Sequence, residues 1–408
     1  MHYNQSIPGP VLRLPQGRES VIVFENAIDQ SSSIHWHGLR IDNAMDGVPG
    51  MTQPPVQPGE TFEYRLTPPD AGTYWYHTHQ RSWEQMALGL AGVLIVEEQD
   101  PPRVDQDLVL AIDDWRLDSE WQIDRNSLGS MHDWAHAGRT GNVITVNGQT
   151  GTVFPVAGGE RIRLRLVNIA NARVMDMLFN EEAISVIAID GQPVEPFAPE
   201  NGRIRLAPGQ RTDLIIDMQS GPGERSLIEV VIGEYAYEVA SFDYAETPRR
   251  EQTLDSPIRL AANPAQQVRL PDEFLHVPLL MQGGAMGRME SAVLDGEELG
   301  IRELVQKGKV WAINGVAGLP EQPLFRVERG TAISLDVDND NAWPHAMHVH
   351  GHHFIYQRTP EYWRDTALFM RGEKGSMRFV ADNPGKWLIH CHMVEHMAGG
   401  MVTWFEVT

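Results

Sequence analysis

The only cysteine of the chain lies between two histidines, in the stretch His390-Cys391-His392. The residues before it, 386–389, follow a glycine and are typical of the end of a β-strand, where successive side chains point to opposite faces. We therefore expect His390 and His392 to point one way and Cys391 to point the other. One tripeptide would then connect two metal centres through covalent bonds, an arrangement suited to moving electrons.

The thiolate of Cys391 is a soft ligand that His396 and Met401 can join, because a turn after the strand can fold back. Two histidines, one cysteine and a weak axial methionine form the trigonal site that copper prefers in electron transfer. The alternative is structural. A lone cysteine is most often a small buried hydrophobic residue, and Met393, Met397 and Met401 would ordinarily fill a core.

Two sequence patterns recur three times along the chain. One is a glycine turn, an alternating strand and an asparagine nine residues after the glycine; the other is a pair of glycines 13 or 14 residues apart, followed by a strand. These patterns predict three related all-β domains. The first pattern covers Gly17–Asn26, Gly159–Asn168 and Gly330–Asn339, and the second begins at Gly59, Gly209 and Gly372. We place the domains at residues 1–100, 101–250 and 251–408, with joins near residues 100–102 and 247–271.

The repeats place paired histidines at matching positions in the first and third domains. Two histidines that are separated by one residue on a strand lie about 7 Å apart on the same face, so they can bind one ion or two neighbouring ions. The 16 histidines would give roughly one such pair by chance. Four pairs occupy equivalent places: His35 and His37, His77 and His79, His348 and His350, and His390 and His392. The middle domain has Met177, Phe179, Ile228 and Val230 there, so we expect it to be a spacer without a metal site.

Eight neutral imidazoles are too many for one zinc ion and suit about three ions of borderline softness, of which copper binds most tightly. Adjacent copper ions that change valence make a site for O2. The thiolate site would supply electrons one at a time to this multi-electron site. The combination of the two sites predicts an oxidase that accumulates several electrons before it reduces O2.

The charge and composition of the chain limit the kinds of partner that the protein can bind. A formal net charge of -22 and a pI of about 5.1 argue against binding to nucleic acid or to an anionic membrane surface. The sequence shows no apolar segment of the roughly 18 residues that span a bilayer. One cysteine excludes an internal disulfide. The start, Met1-His2-Tyr3-Asn4, runs directly into strand-like sequence without a signal peptide, as a mature form without its leader would also do.

At these residues the chain resembles the multicopper oxidases of the laccase and bacterial copper-oxidase type, over essentially its whole length. The motifs are His35-Trp36-His37-Gly38, His77-Thr78-His79, the run from His345 to His352, and the stretch from His390 to Met401. The resemblance implies three cupredoxin-like Greek-key β-sandwich domains and four copper ions. By the family pattern, the type 1 copper would bind His345, Cys391, His396 and Met401; the type 2 copper His35 and His348; one type 3 copper His37, His77 and His392; and the other His79, His350 and His390.

The resemblance also implies the reaction. A reducing substrate would give electrons to the type 1 copper near the exposed edge of His396 or its partner, and these would pass through Cys391 to His390 and His392. Four electrons would reduce O2 to two waters. Met401 as axial ligand implies a lower potential than leucine or phenylalanine would give, and therefore easily oxidised donors such as phenols, aromatic amines or Cu(I).

Proton delivery to O2 has two candidate carboxylates. Asp46 matches a family carboxylate that assists there, although an Asp-Gly turn is an equal alternative. Met397 stands where some bacterial members have a glutamate, which leaves Glu395 as a second candidate. The resemblance further implies a periplasmic or secreted protein.

Three other functions compete with the oxidase. A copper nitrite reductase would not need eight cluster histidines, and a zinc hydrolase would leave Cys391 unused. A periplasmic copper-binding or resistance protein without significant turnover would use the same ligands to store metal. Turnover with O2 separates this last alternative from an oxidase.

Several residues of metal-binding type lie outside the matched positions. We expect surface or structural roles for His2, His132, His136 and His276, a place beside the metal site for His352, and an orientation away from it for His353. Met281, Met286 and Met289 lie in a Gly-rich segment and could present Cu(I), but flexible core filling is their favoured role.

Overall fold

A computed structural model of the chain describes residues 1–180, 183–251, 254, 259–357 and 361–408. Within these ranges the backbone forms many β-strands, and its helices are short. The all-β class predicted from the sequence is confirmed. The α-helices are α1 (Ser82–Gln85), α2 (Met131–Ala135), α3 (Ile301–Gln306) and α4 (Val394–Ala398), and the 3₁₀ turns are Asn43–Met45, Arg125–Ser127, Glu200–Gly202 and Pro264–Gln267.

The first hundred residues form two sheets that enclose an aromatic core. Their strands are β1 (Gly9–Pro15), β2 (Ser20–Glu25), β3 (His35–His37), β4 (Thr61–Leu66), β5 (Gly72–His77) and β6 (Ala91–Glu97). One sheet has the order β1-β6-β5-β3, with β1 parallel to β6, and β2 pairs with β4 in a separate ladder. Tyr64, Tyr74 and Leu94 are buried in the core between them.

The middle part of the chain is a sandwich of two larger sheets. Its strands are β7 (Gln106–Trp115), β8 (Val143–Val146), β9 (Thr152–Val156), β10 (Arg161–Asn168), β11 (Met175–Phe179), β12 (Ile184–Ile189), β13 (Gln192–Phe197), β14 (Arg203–Leu206), β15 (Arg211–Asp217), β16 (Arg225–Ile232) and β17 (Tyr235–Tyr244). The sheets have the orders β13-β12-β15-β10-β7-β8 and β14-β11-β16-β17-β9. Apolar side chains of both sheets form one core, which includes Leu164 and Ile228.

The last part repeats this arrangement. Its strands are β18 (Leu275–Gly283), β19 (Ser291–Leu294), β20 (Glu297–Gly300), β21 (Trp311–Ile313), β22 (Arg326–Val327), β23 (Thr331–Asn339), β24 (His345–Val349), β25 (Phe354–Tyr356), β26 (Tyr362–Arg364), β27 (Thr366–Phe369), β28 (Lys374–Ala381), β29 (Gly385–Cys391) and β30 (Val402–Val407). The two large sheets have the orders β21-β18-β23-β28-β25-β26 and β22-β30-β29-β24-β27, and β19 pairs with β20. Cys391 and Met401 belong to the core of this sandwich.

The three repeat asparagines have the same structural role. The side-chain amide of Asn26 donates to the carbonyls of Gln30 and Val56. The side-chain amide of Asn168 likewise donates to the carbonyls of Arg173 and Leu206. The side-chain amide of Asn339 donates to the carbonyl of Trp343 and to those of residues 369 and 370. A buried amide that satisfies several turn carbonyls fixes the exit of the strand. The repeat found in the sequence is thus a repeat of structure, while the exact domain limits stay predictions.

Side chains from all three parts of the chain pack together near the middle of the molecule. One buried apolar cluster contains Trp75 and Ala91 from the first part, Ala111 and Val167 from the second, and Val394 from the third. This packing holds β5, which carries His77, close to α4, which follows the histidine-bearing strand β29 of the third part. No helix among the described residues is long and apolar enough to cross a bilayer.

Candidate metal centres

Strand pairing places the paired histidines in the same register in the first and third parts. His35 on β3 lies opposite His77 on β5, and His348 on β24 lies opposite His390 on β29. All four of these residues are buried. Because side chains alternate along a strand, each ladder presents its histidines on one face, and the two faces meet.

The histidine nitrogens converge in three groups, within each of which the candidate ligand atoms lie within 4.8 Å of one another. The groups are His35, His37 and His348; His37, His77 and His392; and His79, His350 and His390. His37 belongs to the first two groups, and His35 joins His350 of the third, because these two residues and Asp46 form a further group. The eight side chains therefore form one continuous cluster. The structure therefore brings together every histidine that the sequence analysis assigned to the type 2 and type 3 copper ions.

Hydrogen bonds to oxygen acceptors fix which nitrogen of each ring faces the cluster. The Nδ1 atoms of His77, His348 and His390 lie 2.9–3.0 Å from the carbonyl oxygens of Thr78, Asp365 and Cys391 respectively. A carbonyl only accepts, so these Nδ1 atoms carry the proton and the Nε2 atoms are left with lone pairs. Such acceptors behind a ring are the usual means of orienting a metal-binding histidine.

His37 and His350 are oriented by carboxylates. The Nε2 of His37 donates to Asp365 at 3.1 Å, which leaves its Nδ1 facing the cluster. The Nδ1 of His350 donates to the Asp46 carboxylate at 2.9 Å. The ring of His37 therefore faces the cluster with Nδ1, whereas the ring of His350 faces it with Nε2.

The nitrogen atoms of the histidine cluster have the properties of a cation-binding site. Lone pairs of His350 Nε2 and His390 Nε2 face each other at 3.0 Å. Burial, reinforced by the neighbouring histidines, lowers the pKa of both rings well below the usual value, so protonation does not relieve this contact. His35 Nε2, His37 Nδ1 and His348 Nε2 are buried and have no hydrogen-bond partner among the described residues. Buried nitrogens that lack a hydrogen-bond partner fit metal ions.

The second candidate centre is a triangle around Cys391. Its Sγ lies 3.5 Å from His345 Nδ1 and 3.7 Å from His396 Nδ1, and the two nitrogens are 3.0 Å apart. The other nitrogens donate to oxygens: His345 Nε2 to the Asn341 side chain at 3.0 Å, and His396 Nε2 to the His136 carbonyl at 2.8 Å. Two lone pairs and a sulfur thus converge here without a proton between the nitrogens.

Burial is complete at the Cys391 centre. It raises the pKa of the Cys391 thiol to about 12, so only a bound cation would keep the sulfur ionised at neutral pH. Met401 is buried in the same core, and its main chain bonds those of Cys391 and His396. The expectation that His396 or His345 has an exposed edge is wrong, since both side chains have zero exposure. The His136 carbonyl occupies the outward side of His396.

The candidate carboxylates lie in different places. Asp46 is buried against the cluster, where its carboxylate accepts from His350 and its carbonyl accepts from His35 Nδ1 at 2.8 Å. Glu395 lies on α4 and accepts from the Asn171 amide at 2.9 Å. Burial raises the pKa of Glu395 to about 7. Asp46 therefore contacts two candidate metal-binding rings directly, whereas Glu395 contacts the middle part of the chain.

The middle part does more than separate the other two, which the sequence analysis missed. Arg211 is fully buried and donates to both carboxylate oxygens of Asp365, at 2.8 and 2.6 Å. Burial alone would raise the pKa of Asp365, but the charge of Arg211, together with hydrogen bonds from neighbouring histidines, lowers it well below the usual range. Gly209 lies so close to the cluster that an added Cβ would be 3.0 Å from His37 Cε1. Arg211 is a single arginine at the start of a strand, and nothing in the sequence around it indicates that it supports Asp365 beside the histidine cluster.

The remaining histidines lie outside the metal-binding groups of the described residues. His352 packs on Phe379 and Phe405 in the core of the third part. His353 Nε2 lies 3.6 Å from Asp365, so it contacts the acceptor of His37. His132 and His136 stack on each other with ring centroids 4.1 Å apart.

The three methionines of the Gly-rich segment lie in different environments. Met281 is fully buried, and Met289 packs partly buried against an apolar cluster. Met286 is 76% exposed. Core filling therefore describes Met281 and Met289, and only Met286 presents its thioether to solvent.

The chain also matches known proteins over its whole length. Three family models, each described as multicopper oxidase, match residues 1–101, 106–228 and 296–408. The crystal structure of Lac15 from a marine microbial metagenome is 37% identical, with a TM-score of 0.78 over 98% of this chain and 92% of that one. A multi-copper oxidase from Pseudomonas thermotolerans is 27% identical, with a TM-score of 0.84 over 99% of this chain and 93% of that one. Multicopper oxidase MmcO from Mycobacterium tuberculosis is 26% identical over 438 residues, 98% of this chain and 82% of its own length.

An all-β chain that joins a cysteine-histidine centre to a cluster of eight histidines belongs to the class of copper-dependent oxidases. The family matches agree with this class. The chain belongs to the multicopper oxidase family, and its sandwiches are the cupredoxin-like domains of that family. It is therefore an oxidase that uses copper, O2 and a reducing substrate.

Proposed function

We propose that the protein is a laccase-like multicopper oxidase with four copper ions, which takes electrons singly from a small reducing substrate and delivers four of them to O2. The convergence of lone pairs, without protons, at two separate centres carries this proposal. The proposed type 1 ligands are His345, Cys391, His396 and axial Met401; the type 2 ligands are His35 and His348; the type 3 ligands are His37, His77 and His392 for one ion and His79, His350 and His390 for the other.

Copper, when bound, supplies reversible one-electron transfer at the first centre and O2 reduction at the second. The chain supplies the connection between them. Cys391, the last residue of β29, is joined directly by peptide bonds to His390 and His392, whose side chains lie on the opposite face. The Nδ1 of His390 also bonds the carbonyl of Cys391 at 3.0 Å. Electrons therefore have a short covalent route across the strand.

The residues around the histidine cluster exclude bulk water and hold protons. Burial lowers the pKa of seven of these imidazoles, those of His37, His77, His79, His348, His350, His390 and His392, so these rings bind cations without first releasing protons. Asp46 is the proposed proton-handling carboxylate, because it lies against the cluster and bonds His350 directly. An Asp46→Asn variant should keep its hydrogen bond to His350 through the amide oxygen while losing the ability to exchange a proton.

The proposed substrate class is small aromatic donors, namely phenols and aromatic amines. His396 is covered by the His136 carbonyl, and the His136 ring lies 5.2 Å from the Trp343 ring. Trp343 also donates to the Ala285 carbonyl at 2.9 Å. We call His132, His136, Met286 and Trp343 the donor surface. Its aromatic rings favour planar donors, which would transfer electrons through the His136 carbonyl rather than by touching His396.

Cu(I) is the second candidate donor. The exposed thioether of Met286 follows Ala285, whose N–H donates to the Ala135 carbonyl beside His136. A thioether is a soft ligand that selects Cu(I), and imidazole also binds copper. The net charge of -22 also attracts cations. These observations make Cu(I) a second proposed donor beside the aromatic ones.

Oxygen uptake by fully copper-loaded protein tests both candidates. We expect uptake with a phenol to fall in Trp343→Ala and uptake with Cu(I) to fall in Met286→Leu, while each variant keeps the other activity. Cys391→Ser, with an unchanged circular dichroism spectrum, should lose both. Copper-loaded protein that shows no uptake with either donor would instead be a copper-binding or resistance protein without turnover.

We also propose that the protein works outside the cytoplasm, as a periplasmic or secreted oxidase. The support is the resemblance to the bacterial copper oxidases of this family. Fractionation of the native cells with an antibody against the chain tests this location. Recovery in the cytoplasmic fraction would contradict it.

A further inference from the structure

The helix α4 carries His396, a proposed ligand of the Cys391 centre, and has only five residues. A helix this short is unstable on its own, so its position depends on the groups that bind it. The first N–H groups of a helix have no acceptor within the helix, and an oxygen-bearing side chain at the capping position usually accepts from one of them. In α4 that position holds Met393, whose thioether is a weak acceptor. The start of α4 therefore needs an acceptor from another segment.

Asn171, in the middle part of the chain, supplies this acceptor. Its main-chain carbonyl accepts from the Val394 N–H at 3.1 Å. Its side-chain amide donates to Glu395 Oε1 at 2.9 Å and to the carbonyl of Trp83 at 3.1 Å. Trp83 lies in α1 of the first part of the chain. Asn171 thus connects the start of α4 to both other parts of the chain.

The end of α4 is held by the third part itself. The Lys309 Nζ donates to the carbonyl of Ala398 at 2.8 Å. The main-chain N–H groups of Val310 and Trp311 donate to the carbonyl of Gly399 at 2.8 and 3.0 Å. All of these residues belong to the sandwich that also carries Cys391. The two ends of α4 therefore have different supports, and the support at its start comes from the middle part of the chain.

Glu395 also packs against the segment that covers His396. The His136 carbonyl accepts from His396 Nε2 at 2.8 Å, and Gly138 lies two residues further along the same segment. A Cβ added at Gly138 would lie 3.3 Å from Glu395 Oε2 and 2.3 Å from the Cβ of Ala172. The main chain at Gly138 thus passes directly against the Glu395 carboxyl group. A displacement of this carboxyl group would move the segment whose carbonyl orients the His396 ring.

The burial of the Glu395 and Asn171 side chains indicates a role in orientation. They are 1% and 5% exposed, and burial of a carboxyl group costs free energy that a hydrogen bond from a neutral amide offsets only in part. Apolar side chains would fill the same space without this cost. A hydrogen bond has a direction, however, so a buried polar pair fixes the relative orientation of the segments that it joins.

We propose that Glu395 and Asn171 are positioning residues of the Cys391 centre, which hold α4 so that the His396 ring keeps its place beside the sulfur. This assignment rests on the proposed type 1 copper site. It uses the Glu395 oxygen as a hydrogen-bond acceptor, which is a different role from proton delivery to O2. The middle part of the chain would then determine the geometry of a metal centre to which it contributes no ligand.

Two variants at position 395 of the copper-loaded protein test the assignment. Glu395→Leu fills the site but removes the acceptor. We expect it to lower the copper affinity of the Cys391 centre roughly tenfold, as the loss of a group that orients a ligand does, and to shift the thiolate–copper absorption and the paramagnetic resonance signal. Glu395→Gln keeps the oxygen that accepts from Asn171, so its affinity and spectra should match those of the unaltered protein. Competition with a chelator, followed through the thiolate–copper absorption, measures the affinity.

A pair of asparagine variants separates positioning from a general loss of stability. Asn171→Ala should change the Cys391 centre in the same direction as Glu395→Leu. The control is Asn263→Ala, because Asn263 is 3% exposed and its amide donates to the carbonyls of Ala71 and Gly191, across the first and middle parts. It should lower the melting temperature and leave the spectra of the Cys391 centre unchanged. Copper at the histidine cluster, whose rings are oriented by other carbonyls, should be retained in all four variants.

Three results would overturn the assignment. They are an unchanged Cys391 centre in Glu395→Leu, a Glu395→Gln variant that behaves like Glu395→Leu, and a spectral change in Asn263→Ala as large as that in Asn171→Ala. In each of these cases the unaltered protein still shows thiolate–copper absorption and oxygen uptake, so the proposed function stands. An unaltered protein without that absorption would instead refute the proposed type 1 site, and this assignment with it.

Discussion

The ion pair between Arg211 and Asp365 is the most informative place to perturb the fold. Arg211 belongs to the middle part of the chain, Asp365 to the third, and the Arg211 Nε also donates to the Thr73 carbonyl of the first part at 3.1 Å. The two charged side chains have zero exposure. Arg211→Met keeps the bulk of the side chain but leaves a buried carboxylate without its cation. It should therefore loosen the contact among all three parts.

The expected loss can be worked from this burial. Removing one partner of a fully buried ion pair costs about 3–5 kcal/mol, and no solvent reaches this pair to reduce the cost. Unfolding of 408 residues changes the entropy by about 0.9 kcal/mol per kelvin. If the chain unfolds as one unit, the midpoint of apo Arg211→Met should fall by about 4–6 °C. Differential scanning calorimetry measures this shift.

Two further variants test whether the uncompensated charge of Asp365 causes the loss of stability in Arg211→Met. Arg225→Met removes ion pairs from the same part of the chain, but the Arg225 side chain is 47% exposed, so we expect a loss below about 1 kcal/mol. The double variant Arg211→Met/Asp365→Asn removes the stranded charge and should recover at least about 1.5 kcal/mol. The reasoning fails if Arg211→Met costs no more than Arg225→Met, or if the two changes at residues 211 and 365 are additive.

Other perturbations act on the cluster and on the repeat. Gly209→Ala places a Cβ 3.0 Å from His37 Cε1 at a φ of +86°, so copper analysis and paramagnetic resonance should show less cluster copper but an unchanged Cys391 centre. Gly233→Ala, at positive φ with nothing within 4 Å, is its control, and equal copper in both variants would contradict the argument. Asn168→Ala removes three hydrogen bonds and should lower the free energy of unfolding by about 3 kcal/mol, measured by urea titration against the exposed Asn180→Ala. Removing copper by chelation should lower the melting temperature, because each site filled at 100 times its dissociation constant adds about 2.7 kcal/mol; an unchanged melting temperature would mean that the metal binds the unfolded chain equally well.

Counting along the sequence predicted the histidine cluster well because domains 1 and 3 share one strand register. The pairs His35 with His77 and His348 with His390 are both directly opposite. The middle domain shows where counting fails. Met177 lies opposite Val230 rather than the Ile228 that counting predicts, since the ladder there is shifted by two residues. All three of these apolar side chains are buried in the core of the middle sandwich.

The support around the metal-binding rings was not predictable in the same way. Main-chain carbonyls orient His77, His348, His390 and His396, and every residue type has a carbonyl. The Asp365 side chain orients His37, but its own partner Arg211 is 154 residues away in the chain. Sequence motifs reveal residues whose type is rare and necessary, such as histidine and cysteine. Contacts that any residue can make, or that depend on distant packing, need the structure.

The arrangement of acceptors also explains why two metal centres can share three consecutive residues. Cys391 faces His345 and His396, while the rings of His390 and His392 face the opposite side of β29. The main chain of Cys391 nevertheless contributes to both centres, because its carbonyl accepts from His390 Nδ1. A change that rotates the peptide after Cys391 would therefore disturb the cluster even if the thiolate stayed in place. Side-chain alternation separates the two centres, and the shared peptide group couples them.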